Sequence, residues 1–245
     1  MSDPRYFGPT DDSALTFSIC SLVRHQDRYD RLRASFARLG FTADTTKFLA
    51  ADNRAANQFD GFTWHKRLLA EARGHYVVFC HDDIELMDQG HDALLGVLGT
   101  LDQLDPTWLL AGSIGGVWRS NSATTAITGV FNDHAGQTHR KLKLPRRVET
   151  LDEFFIVMRR TRPVISSYDL KGFHFYGPDL CLQAELLGGS AYAIDFLLRH
   201  YGKGERGPSF RAARRDRDMN AFIGQRDGAG AAQTLACCTY NRAPS

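Results

Sequence analysis

Apolar and polar positions alternate between two periods through the first third of this chain. Leu15 to Val23 is a continuous apolar run and predicts a first strand. Asp27 to Leu39 then places Leu32, Phe36 and Leu39 on one face, with Asp27 as candidate N-cap and Gly40 as terminator, which predicts a helix. Thr46 to Ala51 predicts a short second strand, broken by Asp52-Asn53. Asp60 to Arg73 predicts a second helix, with Leu68, Leu69 and Ala72 inward and Gly74 at its end. Tyr76 to Cys80 predicts a third strand, which runs straight into His81-Asp82-Asp83. This β-α-β-α-β order suits crossovers in a parallel sheet, and such sheets bind ligands beyond the carboxyl ends of their strands. Three polar clusters fall there: Ser21 to His25, Asp52-Asn53 and His81-Asp82-Asp83.

The pattern continues less regularly. Residues 88–104 predict a helix, and Trp108 to Ile114 a strand leading into Gly115-Gly116-Val117-Trp118. Residues 119–146 read as irregular, with weak strand signals near Ala126 to Phe131 and a basic turn from Arg140 to Arg147. Leu151 to Met158 is apolar and β-rich, bracketed by Glu149, Asp152 and Glu153. Gly177-Pro178-Asp179 opens a helix that runs to Leu187, with proline at its natural first position. Ala191 to Leu198 predicts a late strand ending in Arg199-His200. The expected fold is α/β, a mostly parallel central sheet flanked by helices, with a smaller mixed sheet. Without a repeat or a linker, residues 1–245 read as one domain, with a core at about 15–205 and a basic tail or lid at 206–245.

Composition narrows the partners. A net charge of +2 is too small to argue for nucleic acid. Of the five cysteines, Cys20, Cys80 and Cys181 lie inside apolar runs and read as buried thiols, while Cys237-Cys238 lacks the partner ligands of a zinc site. The polar start Met1-Ser2-Asp3-Pro4 does not read as a signal peptide, and no apolar run reaches bilayer length, so the cytoplasm is the expected compartment.

The candidate chemistry begins at His81-Asp82-Asp83. A hydrophobic core has no use for two carboxylates at a strand end, whereas a divalent cation gathers hard oxygen ligands. A simple turn after the strand is the competing reading. The Gly-rich stretch Gly228 to Ala232 follows no strand and is not a dinucleotide loop.

Three pieces in order carry a resemblance: the strand-end His81-Asp82-Asp83, the segment Gly172-Phe173-His174-Phe175-Tyr176-Gly177-Pro178-Asp179-Leu180-Cys181-Leu182, and the late strand ending in His200. Together they resemble nucleotide-sugar-dependent glycosyltransferases of the GT-A fold, of the family 2 type, over roughly residues 15–205. The family's Asp-x-Asp appears here with His81 in its first position. The resemblance implies Mn²⁺ or Mg²⁺ on Asp83 and His200, with His81 on the ribose or the metal and Asp82 in the middle position beside the nucleotide. It implies Asp179 as the base of an inverting transfer, although an acid in a first helical turn is favourable through the macrodipole alone. Asp169 and Glu185 are less well placed. Ser21, Val23, Arg24, Asp52, Asn53 and Lys66 match nucleotide-contact positions. Gly116, Trp118 and Tyr176 match donor- or acceptor-sugar positions. Each also has a plain structural reading as turn, exposed helix face or core.

The implied partners are a nucleotide-sugar donor, a UDP-sugar favoured, and a saccharide or lipid-linked acceptor in surface polysaccharide or glycolipid assembly. Residues Arg206 to Arg217 are a candidate lid over the diphosphate, or a peripheral contact with the inner membrane face. Two rivals stand: a sugar nucleotidyltransferase, whose Gly-rich basic loop Ser21-Leu22-Val23-Arg24-His25 lacks, and a non-catalytic nucleotide- or carbohydrate-binding domain.

Overall fold

The computed structural model describes residues 15–119, 124–141 and 143–202. Strand β1 (Phe17–Val23) alternates its side chains between two cores, as a strand buried on both faces must. Phe17, Ile19 and Val23 enter one apolar cluster and Cys20 the other. The first cluster takes helices α1 (Gln26–Arg38), through Leu32 and Phe36, and α3 (His91–Leu104), through Leu94, Leu98 and Leu101. The second takes α2 (Trp64–Leu69), through Trp64 and Leu68, and α4 (Tyr176–Leu186), through Tyr176, Leu180 and Ala184.

The main sheet joins β1 to β2 (Thr46–Asp52), β3 (Tyr76–His81), β5 (Trp108–Gly112), β9 (Arg146–Val148), β11 (Phe155–Arg159) and β12 (Ser190–Ala193). Its order is β2-β1-β3-β11-β5-β12-β9. β1, β2, β3, β5 and β12 run one way, and β11 and β9 oppose them, so the sheet is mostly parallel in direction. A second, mixed sheet holds β4 (Ile84–Leu86), β6 (Ile114–Arg119), β7 (Thr124–Asn132), β10 (Thr150–Leu151) and β13 (Leu198–His200) in the order β10-β6-β7-β13-β4, with β8 (Thr138–Lys141) beside β7.

Four main-sheet strands feed directly into this second sheet along one seam. β3 passes to β4 through Asp82-Asp83, β9 to β10 through Glu149, β5 to β6 through Ser113, and β12 to β13 through residues 194–197. The last two crossings are clipped together, because the Ser113 hydroxyl donates to the Phe196 carbonyl at 3.0 Å.

Several expectations are corrected here. The single late strand is two strands in two sheets. Ile194 and Phe196 are fully buried at the crossing and Asp195 between them turns out to Arg140, so the apolar alternation carries on while the backbone changes partners. The segment expected to be irregular forms β7 and β8, which extend β6 into an antiparallel meander carrying β-branched Ile127 and Thr128 rather than a clean apolar alternation. The second helix shrinks to Trp64–Leu69. Asp60 ties the preceding turn through the Thr63 hydroxyl and the Phe62 amide, and beyond Ala70 the backbone bonds tighten to the residue three back. Helix α1 starts one residue before its expected cap, with Asp27 inside its first turn. Helix α4 starts at Tyr176, after Phe175 in the left-handed region (φ 72°), which puts Pro178 third rather than first.

Asp105, just past α3, binds that helix end to β12. It accepts hydrogen bonds from the Ser190, Tyr192 and Thr107 hydroxyls. Burial alone would raise its pKa; these donors outweigh burial and hold it at about 2, below the ordinary 3.8. A carboxylate depressed by folding stabilises the fold above its unfolded pKa, and that contribution fades as pH falls toward the folded value. Asp105→Asn is therefore expected to lose on the order of 1–2 kcal/mol at pH 7, measured by urea unfolding, and much less near pH 2. A loss independent of pH would contradict the ionic account.

Candidate functional site

The seam between the sheets assembles a cluster that no single stretch of sequence contains. His81 is the last residue of β3, and Asp83 stands in the turn before β4. β13 pairs antiparallel with β4, with His200 opposite Ile84, and the Tyr201 amide donates to the Asp83 carbonyl at 3.0 Å. This register sets His200 Nε2 at 3.4 Å from Asp83 Oδ1, and His81 Nδ1 lies at 3.9 Å from the same oxygen. One ligand atom from each of His81, Asp83 and His200 falls within 4.8 Å of the others. Two imidazoles and one carboxylate at that spacing fit a divalent cation.

The charges are mutually arranged. Burial would raise the Asp83 pKa, but the hydrogen bond and charge of His200, then His81 and Arg28, hold it well below the usual carboxylate range. Burial would lower His200, and Asp83, then the charge of Asp152, outweigh burial and raise it. Burial lowers His81, only partly countered by Asp83. An ionised carboxylate beside a neutral imidazole presents two lone pairs to a cation. The His81 side chain keeps 38% of its surface open, so the cluster is reachable from solvent.

The segment 152–154 braces this cluster. Phe154 stacks on the His200 ring at 4.9 Å, and its carbonyl accepts the His81 amide at 3.0 Å. The Tyr176 hydroxyl donates to the Glu153 carbonyl at 3.2 Å and meets His81 Nε2 at 3.4 Å. Glu153 in turn accepts the Gly177 amide, which fixes the start of α4. Gly202 lies against the open side, where an added Cβ would stand 2.7 Å from His200 Nε2 and 3.2 Å from Asp83 Oδ2.

The remaining expected site residues divide. Asp82 points back from the cluster and accepts the Arg24 and His25 amides at 2.7 and 2.9 Å, so it shapes the β1–α1 loop. Arg24 lies over the Phe173 ring at 5.8 Å, which links that loop to the segment before α4. The Ser21 hydroxyl is fully buried against the Cys80 thiol. Val23 is buried, and its carbonyl accepts the Asn53 amide. The Asn53 side chain is spent within its own loop, on Gln58 and Phe59. Asp52 pairs with Arg54 at the surface. Lys66 donates to the Ser167 carbonyl.

Gly116 is buried on β6 opposite Thr150, and at its neighbour Gly115 a Cβ would meet the Thr150 carbonyl at 2.7 Å. Close packing of β10 therefore accounts for Gly115. Trp118 sits on β6 opposite Thr125, and its side chain is outside those described. Asp179 is 2% exposed, and its two oxygens accept the Ser167 amide and hydroxyl at 2.7 and 2.6 Å. Arg206 to Arg217, and the lid or membrane contact expected of them, lie outside the described residues. Among the described residues no helix is long and apolar enough to cross a membrane.

Sequence reasoning singled out neither Phe154 nor the site role of Asp152 and Glu153. The visible signal was a pair of acids just before an apolar strand, the counterpart of the acids just after one at His81-Asp82-Asp83.

No family model matches the sequence. Two solved structures are similar at 12% identity, with TM-scores of 0.51: TarS of S. aureus, covering 84% of this chain, and the mannosyltransferase PcManGT of Pyrobaculum calidifontis, solved with GDP-Man and Mn²⁺, covering 96%. This chain spans 39% of the TarS chain and 71% of the mannosyltransferase chain. The likeness identifies the fold as the mixed α/β architecture of GT-A glycosyltransferases. The ATP synthase subunits region ORF 6 protein of Fuscovulum blasticum is 52% identical over 214 residues, 87% of this chain and 86% of that protein. The chain belongs to the family of this ORF 6 protein.

Proposed function

We propose that the protein is a cation-dependent glycosyltransferase, moving a sugar from a nucleoside diphosphate donor to a hydroxyl acceptor. The observation that carries this is the His81-Asp83-His200 cluster at the carboxyl end of β3, in a fold shared with GT-A enzymes. His81, Asp83 and His200 would hold the cation. Two imidazole donors favour Mn²⁺ over Mg²⁺, which keeps to oxygen ligands. Bound there, the cation would neutralise the growing charge on a departing diphosphate.

The chain's own residues do the rest. Asp82 holds the β1–α1 loop, with Arg24, against the strand end, which leaves a fixed rim for the nucleotide. Tyr176, tied to the Glu153 carbonyl, keeps the His81 ring from turning away. The resemblance favours a UDP-sugar, and the mannosyltransferase neighbour makes a GDP-sugar the rival donor.

Titration calorimetry with UDP, GDP and dTDP, each with and without Mn²⁺, tests the reading. One diphosphate is expected to bind at least about tenfold more tightly with Mn²⁺ than without. The same weak affinity for all three, with or without metal, would remove the reading.

A further inference from the structure

The carboxylates on the cluster's turn, its bracing segment and helix α4 are separated by what each already does. Asp83 faces the two histidines. Asp82, 7% exposed, takes two loop amides. Glu153, 9% exposed, takes the first turn of α4. Asp179, 2% exposed, has both oxygens on Ser167. Asp152 alone of these combines partial exposure with a carboxylate that only backbone amides of its own turn engage. It accepts the Phe154 amide at 3.2 Å, with the Glu153 amide beside it, and among the described residues no side chain donates a hydrogen bond to it. Its own amide is anchored on the Ile114 carbonyl at 3.0 Å, at the start of β6. Two residues on, Phe154 stacks on His200 and receives the His81 amide. Asp152 thus stands on the same short segment that braces the cluster, within electrostatic reach of His200.

We propose that Asp152, rather than Asp179, is the general base of the transfer; the proposal rests on the glycosyltransferase reading above. The acceptor hydroxyl oxygen attacks the anomeric carbon as its proton passes to a carboxylate oxygen of Asp152. The bond from that carbon to the donor phosphate oxygen breaks, and its electron pair leaves with the nucleoside diphosphate. One displacement inverts the anomeric centre. A base must offer a free oxygen to the acceptor from a rigid mount. Asp152 has both, whereas Asp179 would first have to release Ser167.

The test uses the full chain with Mn²⁺ and UDP-glucose, UDP-galactose, UDP-N-acetylglucosamine, GDP-mannose and dTDP-rhamnose as donors, following diphosphate release to water and to sodium azide. Asn at position 152 keeps an oxygen for the Phe154 amide, so the turn survives the change. Asp152→Asn is expected to slow release to water by about 10²–10⁴-fold while Mn²⁺-diphosphate affinity stays within about threefold. Azide carries no proton to remove, so it should restore release in Asp152→Asn but not in Asp83→Ala. Full turnover in Asp152→Asn, with the loss appearing in Asp179→Asn instead, overturns the assignment and returns the role to Asp179. A wild-type protein that releases diphosphate from no donor removes the glycosyltransferase reading, and this proposal with it.

Discussion

Asp83→Ala is expected to weaken Mn²⁺-dependent diphosphate binding by at least about 100-fold, the largest effect of any single change in the cluster. Asp83 supplies its only anionic donor and the atom that both histidines face. Without it two imidazoles remain, one of them deprived of the carboxylate that orients it. The fold should tolerate the change, because Asp83 stands in a turn and its carbonyl, which receives the Tyr201 amide, is retained. A cost of about 1–2 kcal/mol is expected from the lost contacts with His200 and Arg28. The neighbouring change separates ligand from scaffold. Asp82→Ala should leave the cluster's three donor atoms in place but free two loop amides, costing about 1–3 kcal/mol of stability. Calorimetry and thermal unfolding of the two variants side by side should show opposite patterns. Equal loss of metal affinity in both would mean that the loop, not the carboxylate, holds the cation.

Gly202→Ala is the second large effect, and it adds only a methyl group. The new Cβ would stand 2.7 Å from His200 Nε2 and 2.9 Å from its Cε1, inside normal contact distance. The ring cannot easily swing clear, since Phe154 lies stacked against its face. The methyl also falls against the nitrogen that must face a cation. Mn²⁺ affinity should drop about 10- to 100-fold, as for other losses of ligand orientation, with the unfolding temperature little changed. Unchanged affinity in Gly202→Ala would place the cation elsewhere, or show that His200 is not a ligand.

Much of this was readable from the chain because the period was honest where the structure is local. β1, α1, β2 and β3 form where their apolar patterns place them; β1 and β3 bury theirs, α1 buries Leu32 and Phe36 but only half-buries Leu39, and β2 half-buries Phe48 and Leu49. His81-Asp82-Asp83 was legible for the same reason. Its outer two residues reach the cluster while the middle one turns back to the Arg24 loop. The seam was not legible. Asp195 stands between the buried Ile194 and Phe196, but one outward polar residue is what any half-exposed strand shows, so it does not mark a change of sheet. Nor does sequence separate Asp179 from Asp152. The first has the helix position a familiar pattern favours, and only packing reveals that Ser167 occupies its oxygens. Ser21 and Asn53 show the same limit. Each stands at a strand end facing the predicted ligand, yet its side chain serves the core or its own loop.

The seam also orders events in time. His81 and Asp83 leave the main sheet at one crossing, and His200 arrives at the end of another, after most of the described chain. Contacts so distant along the chain close only after local structure has formed, because loop closure costs entropy that only late packing returns. The cluster therefore comes into being when both sheets have docked, and it dissolves when either one lets go. A cation that binds the finished cluster and not its parts would act as a latch on the last step of folding, slowing unfolding more than it speeds assembly.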